Sequence, residues 1–128
     1  MAEPIWIIES IVKVIHDDQI AAHGGSYGIS NIGLLSSALA RPRNLYGYGQ
    51  ANLFQLAAAY KYGIVKNHAF VDGNKRTAFQ VIFVFLRVNG IYLDVPEPEV
   101  VLTMQNLAAG EMSEEELAKW LQKYGHKK

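Results

Sequence analysis

The stretch HAFVDGNKRTAFQVIFVFLRV, His68 to Val88, decides how this chain is read. From Asn74 to Val88 it contains neither proline nor glycine, and from Phe79 onward only Gln80 and Arg87 interrupt the apolar residues. A helix that is apolar on most of its circumference must be surrounded by other elements. It is therefore expected at the centre of the domain, with Asn89-Gly90 as its stop signal. Ahead of it, Asp72-Gly73 has the composition of a tight turn that delivers the chain into the helix N-terminus.

The flanking segments read as helices that cover this centre. Pro4 suits a first helical turn, and Ile8, Ile11, Val12 and Ile15 recur at helical spacing, which predicts a helix ending near Ala22, before Gly24-Gly25. A short helix follows, with Ser30 or Asn31 as its cap and Leu34, Leu35, Ala38 and Leu39 inside; Pro42 is expected to end it. Arg43 to Gln50 is rich in Gly, Asn and Tyr and reads as an exposed loop or small hairpin. Leu53, Leu56, Ala57, Tyr60 and Ile64 form the next stripe, with His68 four residues on along the same face.

Beyond the central helix, Ile91 to Val95 is β-prone without an evident partner strand. Two more helices are expected, over Glu97 to Ala108 and Ser113 to Lys123. Ser113 and Glu116 have capping-box spacing. The tail Gly125 to Lys128 is expected to fray. The sum is one all-α domain over residues 1–128, a compact bundle of about six helices around a buried central helix, with a small flap loop or hairpin.

Composition narrows the function. Of 128 residues half are hydrophobic, enough to build a core. Twelve basic and twelve acidic side chains balance, so no direct nucleic-acid binding is expected. The absence of cysteine excludes disulfides and thiol chemistry and fits a cytoplasmic protein. MAEPIWIIES does not read as a signal peptide, and the longest apolar run, Ala78 to Val88, is too short to span a bilayer, so no membrane association is expected.

The chemistry concentrates in His68 to Thr77. A helix N-terminus offers free amide N–H groups and a partial positive charge, and so attracts phosphate. Lys75 and Arg76 place two cations in that first turn, where the helix dipole disfavours them, and this points to an anionic ligand. Asp72 can hold Mg²⁺, which takes one or two carboxylates together with phosphate oxygens. His68 is the nearby side chain of the type that serves as a general base near neutrality. Each feature alone is commonplace: a His beside a loop is more often a cap or a core residue, and Lys-Arg pairs are usually solvated. Their order within ten residues suits phosphoryl chemistry. His16-Asp17-Asp18 has the form of the HD pair of metal phosphohydrolases, but the remaining histidines, His23, His68 and His126, do not complete such a ligand set, and the pair is read as a polar helix end.

The segment His68 to Asn74 resembles the HxFx(D/E)GN motif of the Fic superfamily, and the Lys75-Arg76 that follows resembles its death-on-curing branch. His23-Gly24-Gly25, Gly28-Ile29 and Leu34-Leu35 through Ala40-Arg41-Pro42 are similar to that branch's upstream region, so the resemblance runs along the whole chain. It implies a Fic-type bundle and a set of roles. His68 would take the proton of an attacking protein hydroxyl, and Phe70 would anchor the loop. Asp72 would bind Mg²⁺. Gly73 and Asn74 would help form the anion hole, and Lys75 and Arg76 would hold the phosphates of ATP. Tyr46, Gly47 and Tyr48 would belong to a flap that aligns the target.

Adenylylating relatives carry glycine where this chain has Lys75, and a second arginine where it has Phe79. The branch resemblance thus implies transfer of the γ-phosphate of ATP to elongation factor Tu, blocking translation, with adenylyl transfer, or an inactive binding module of the same fold, as the alternatives. Ala69 stands where the motif usually has proline, which is expected to loosen the loop slightly. No internal inhibitory (S/T)xxxE(G/N) motif is found; the resemblance implies a separate antitoxin as partner.

Overall fold

A computed structural model of the protein describes residues 3–96, 98, 102 and 112–127. Five helices and two short strands lie among them: α1 (Glu9–His23), α2 (Ile32–Gly47), α3 (Leu53–Lys66), α4 (Asn74–Val88), β1 (Ile91–Leu93), α5 (Glu114–Tyr124) and β2 (Gly125–Lys127). The helix expected over residues 97–108 lies outside the described residues, apart from Pro98 and Leu102, both helical.

The predicted central helix is α4. Its residues Ala78, Phe79, Val81, Ile82, Phe85 and Leu86 are buried, and it packs against both α3 and α1. On α3, Leu56 to Tyr60 and Ile64 are buried in turn. Asn52 and Gln55 start α3 with a reciprocal capping box, matching the one that Ser113 and Glu116 form on α5.

Pro4 does not begin α1. The helix starts at Glu9, and the residues before it form an extended strap held by tertiary contacts. The Ile5 amide donates to Asn89 Oδ1 at 2.8 Å, the Ile7 amide donates to the Tyr60 hydroxyl at 2.9 Å, and Trp6 stacks on Phe85 at 6.0 Å. These contacts satisfy the Ile5 and Ile7 amides without helical bonds. The inward face of α1 is accordingly Val12, His16 and Ile20, while Ile8 and Ile11 are exposed. Asn31 caps α2, accepting from the amides of Gly33 and Leu34.

Pro42 does not end α2; the helix runs five residues further, to Gly47. A proline in a helix interior forfeits one hydrogen bond and strains the turn before it. Here Pro42 also extends the buried stripe Leu35, Ala38, Leu39, and past it Arg43 lies over the Trp6 ring at 5.5 Å while Tyr46 meets that ring edge-on at 5.7 Å. Tertiary burial outweighs the local penalty. The expected loop or hairpin over Arg43 to Gln50 is therefore a helix end followed by a turn: Tyr46 and Gly47 belong to the last turn of α2, and Tyr48, just past it, is 88% exposed.

The β-prone segment does have a partner. β1 pairs antiparallel with β2, with Ile91 opposite Lys127, Tyr92 opposite His126 and Leu93 opposite Gly125. The tail expected to fray is thus a strand, fastened further by the contact between the rings of Tyr92 and His126, 5.6 Å apart.

Candidate active site

Between α3 and α4 the chain makes the turn that carries the motif. α3 ends at Lys66 with Asn67 as its C-cap, so His68 does not continue the helical face of Ile64. It takes a left-handed backbone conformation, φ 49°, which turns its side chain out to solvent. Ala69 and Phe70 turn the opposite way and are fully buried. The Ala69 amide donates to the Ile64 carbonyl at 3.2 Å. Proline has no N–H and could not make that bond, so Ala69 ties the loop down where loosening was expected.

Phe70 is gripped from three directions. Its amide donates to Asn74 Oδ1 at 2.9 Å, and its carbonyl accepts from Asn74 Nδ2 at 2.8 Å. Its ring lies flat on the imidazole of His16, centroids 4.0 Å apart and planes 6° apart. Gly28 to Ser30 lies alongside as an antiparallel bridge, with Ser30 N–H donating to the Ala69 carbonyl and Val71 N–H to that of Gly28.

Asp72 sits at the apex. One carboxylate oxygen accepts from the Ser26 amide at 3.2 Å, the other from the Gly73 amide at 3.0 Å. Gly25 is required there: a Cβ on it would lie 2.8 Å from Asp72 Oδ2. Gly73, with φ 73° in the left-handed region, is the N-cap of α4 and carries no side chain to cover the first-turn amides. The Asn74 side chain is turned back onto Phe70 and does not cover them either.

Around this apex His68, Asp72, Gly73, Asn74, Lys75 and Arg76 line one open cavity of about 580 Å³ with Val65. The sequence-predicted base, carboxylate and phosphate-binding residues are brought together. The cavity's size falls within the usual range for small-molecule sites. Arg76 is half-buried and donates to the Gly24 carbonyl at 3.1 Å. Tyr46 and Gly47 do not line the cavity; Tyr48 lines a neighbouring groove with Lys66 and Asn67, adjacent in sequence to His68. Phe79, where adenylylating relatives have arginine, is 3% exposed and packs on Phe83 and Trp120. That position belongs to the core.

No group of three or more metal-ligating side chains occurs among the described residues. A cation at Asp72 would have a single protein carboxylate, which suits Mg²⁺ completed by phosphate oxygens and water. Lys61 on α3 is 6% exposed, with Nζ 3.8 Å above the Tyr62 ring; burial, and next the charge of Lys75, push its pKa down, against a smaller opposing pull from Glu114.

Known proteins match this sequence. The Fic/DOC family model matches residues 6–86, from the strap into the last turn of α4. The chain belongs to the Fic/DOC family. Among its relatives, a protein of Escherichia phage P1 named Protein kinase doc is 33% identical over 113 residues, covering 87% of this chain and 89% of its own. Toxin Doc of Mycolicibacterium smegmatis (strain ATCC 700084 / mc(2)155) is 43% identical over 74 residues, 56% of this chain and 57% of its own length. No helix among the described residues is long and apolar enough to cross a membrane.

Sequence reasoning missed His16. Read as part of a polar helix end, it is 2% exposed and bonds the motif loop. The signal was available in its spacing: Val12, His16 and Ile20 fall four residues apart on one face.

Proposed function

We propose that the protein is a toxin that transfers the γ-phosphate of ATP to a hydroxyl of a protein target, with elongation factor Tu as that target and a separate antitoxin as its inhibitor. The observation that carries this reading is the shared cavity: an exposed histidine, an exposed carboxylate and two cations around the uncapped start of α4. The likeness to a relative named as a kinase over most of both chains supports it.

In this reading His68 accepts the proton of the target hydroxyl, whose oxygen attacks the γ-phosphorus; the bond from that phosphorus to the bridging oxygen breaks, and ADP leaves. Phosphoryl transfer of this kind is catalysed mainly by positioning and charge neutralisation. The first-turn amides of α4, Lys75 and Arg76 hold the phosphates, Arg76 giving up or sharing its bond to Gly24. Mg²⁺ held at Asp72 supplies further neutralisation of phosphate charge when bound. Lys75 occupies space that glycine would leave open and adds a point charge, which favours the γ- over the α-phosphorus beside His68. Tyr48, Lys66 and Asn67 line the groove along which the target approaches.

The test is label transfer. With Mg²⁺ and elongation factor Tu, label should move from γ-labelled ATP and not from α-labelled ATP; transfer of the α label would make the protein an adenylyltransferase, and transfer of neither would favour a binding module.

A further inference from the structure

We propose that His16 is a positioning residue for the motif loop: from the buried face of α1 it locks the Asp72–Gly73 peptide so that its N–H, and not its carbonyl, faces the Asp72 carboxylate at the mouth of the phosphate site. The inference rests on the phosphoryl-transfer reading above. The His16 Nε2 lies 2.8 Å from the Asp72 carbonyl oxygen. A carbonyl only accepts, so Nε2 carries the hydrogen and donates it. Nδ1 lies 3.8 Å from the Asp17 carboxylate, too far for a hydrogen bond.

The carbonyl of a trans peptide points away from the N–H of the same unit. Holding the Asp72 carbonyl against α1 therefore turns the Gly73 N–H the other way, where it meets Asp72 Oδ1 at 3.0 Å. Rotation of this one peptide is a real hazard, because Gly73 lies in the left-handed region at φ 73° and glycine tolerates the alternatives. The flipped peptide would aim a carbonyl dipole at the Asp72 carboxylate and at incoming phosphate. The remaining contacts of the ring make His16 a rigid donor. It is 2% exposed, it stacks on Phe70 with centroids 4.0 Å apart, and its Cδ2 lies 3.9 Å from where a Gly73 Cβ would be.

Two variants separate the donor from the packing. His16→Phe keeps a flat ring on Phe70 and removes the N–H; His16→Gln restores an N–H in nearly the same place. In His16→Phe the Gly73 amide resonance of the ¹⁵N-labelled protein should move or broaden, and phosphate transfer should slow on the order of 10- to 100-fold, as for other outer partners of a site. His16→Gln should return both toward wild type. A Gly73 resonance in His16→Phe at its wild-type position, or a His16→Gln as impaired as His16→Phe, would overturn the lock. Should His16→Phe not fold, the ¹⁵N shifts of the wild-type imidazole decide: the Nε2–H form supports the lock and the Nδ1–H form rejects it. These resonances need no turnover. A wild type that transfers no phosphate would sink the reading of the reaction and leave the Gly73 amide to judge the lock.

Discussion

Asn74 holds both backbone polar groups of Phe70 with one side chain, accepting from its amide at 2.9 Å and donating to its carbonyl at 2.8 Å. The residue is 8% exposed, so neither bond is replaced by water when it is lost. The first residue of α4 thereby fixes the segment that leads out of His68. The Fic/DOC motif's asparagine is, in this chain, a structural clamp as well as part of the α4 N-terminus.

Asn74→Ala should therefore cost stability as well as activity. Two buried backbone groups left unpaired predict a loss of about 1–3 kcal/mol each. Urea unfolding followed by circular dichroism would measure it. A midpoint equal to that of the wild type would show that the clamp contributes nothing.

His68→Ala should do the reverse. His68 is exposed and ends no helix, so the fold should be unchanged while transfer slows on the order of 10²- to 10⁴-fold, the usual share of a general base. Transfer at the wild-type rate would remove His68 from that role.

Asp72→Asn keeps the shape but loses the charge and leaves one acceptor oxygen, so only one of the Ser26 and Gly73 amides keeps its partner. Activity should fall steeply, and excess Mg²⁺ should recover part of it. Gly25→Ala should raise the Mg²⁺ requirement in the same direction, because its Cβ would press on Asp72 Oδ2. Titration of activity against Mg²⁺ checks both, and unchanged Mg²⁺ dependence would place the ion elsewhere.

The clustering of the motif residues around one cavity was legible because His68 to Thr77 is short, local and ordered by one turn. α4 and α5 were legible for the same kind of reason: continuous apolar residues in one, a Ser113–Glu116 cap in the other. What was not legible depends on partners distant in sequence. Pro42 obeys a local rule that burial against neighbouring helices overrides. β1 and β2 are three residues each and start 34 positions apart, from 91 to 125, so neither shows a period of its own. His16 looks like a solvated polar residue until the loop that it bonds, 56 residues later, is folded against it. Phe79 could be compared with the arginine of adenylylating relatives by its place in the motif alone; its burial against Phe83 and Trp120 shows that an arginine introduced there would enter the core.

That burial gives a prediction about reaction choice. Lys75→Gly should lose phosphate transfer, and adding Phe79→Arg should not rescue adenylyl transfer. It should lower thermal stability instead, since an unpaired buried charge costs several kcal/mol, roughly, even after relaxation. A folded double variant that adenylylates its target would contradict this.

Lys61 predicts a pH dependence of stability. Burial, with Lys75 second, holds its pKa below the ordinary 10.5, so the protonated form is disfavoured in the fold. Between that lowered value and 10.5 the unfolded chain binds more protons, and this contribution to stability rises with pH. The hydroxyls of Tyr60 and Tyr62, both raised chiefly by burial, act in the opposite direction at the alkaline end. Comparing wild type with Lys61→Met removes their share. The wild type should gain on the variant as pH rises through that window, and parallel curves would show that Lys61 is not disfavoured in its charged form.

The central claim is that this site moves a phosphoryl group to a protein hydroxyl. Its most direct test is the intact mass of purified elongation factor Tu after incubation with the protein, ATP and Mg²⁺, with His68→Ala in parallel. The account predicts one added phosphoryl group with the wild type and an unmodified mass with His68→Ala. An added adenylyl group, or a phosphoryl group added equally by the variant, would contradict it.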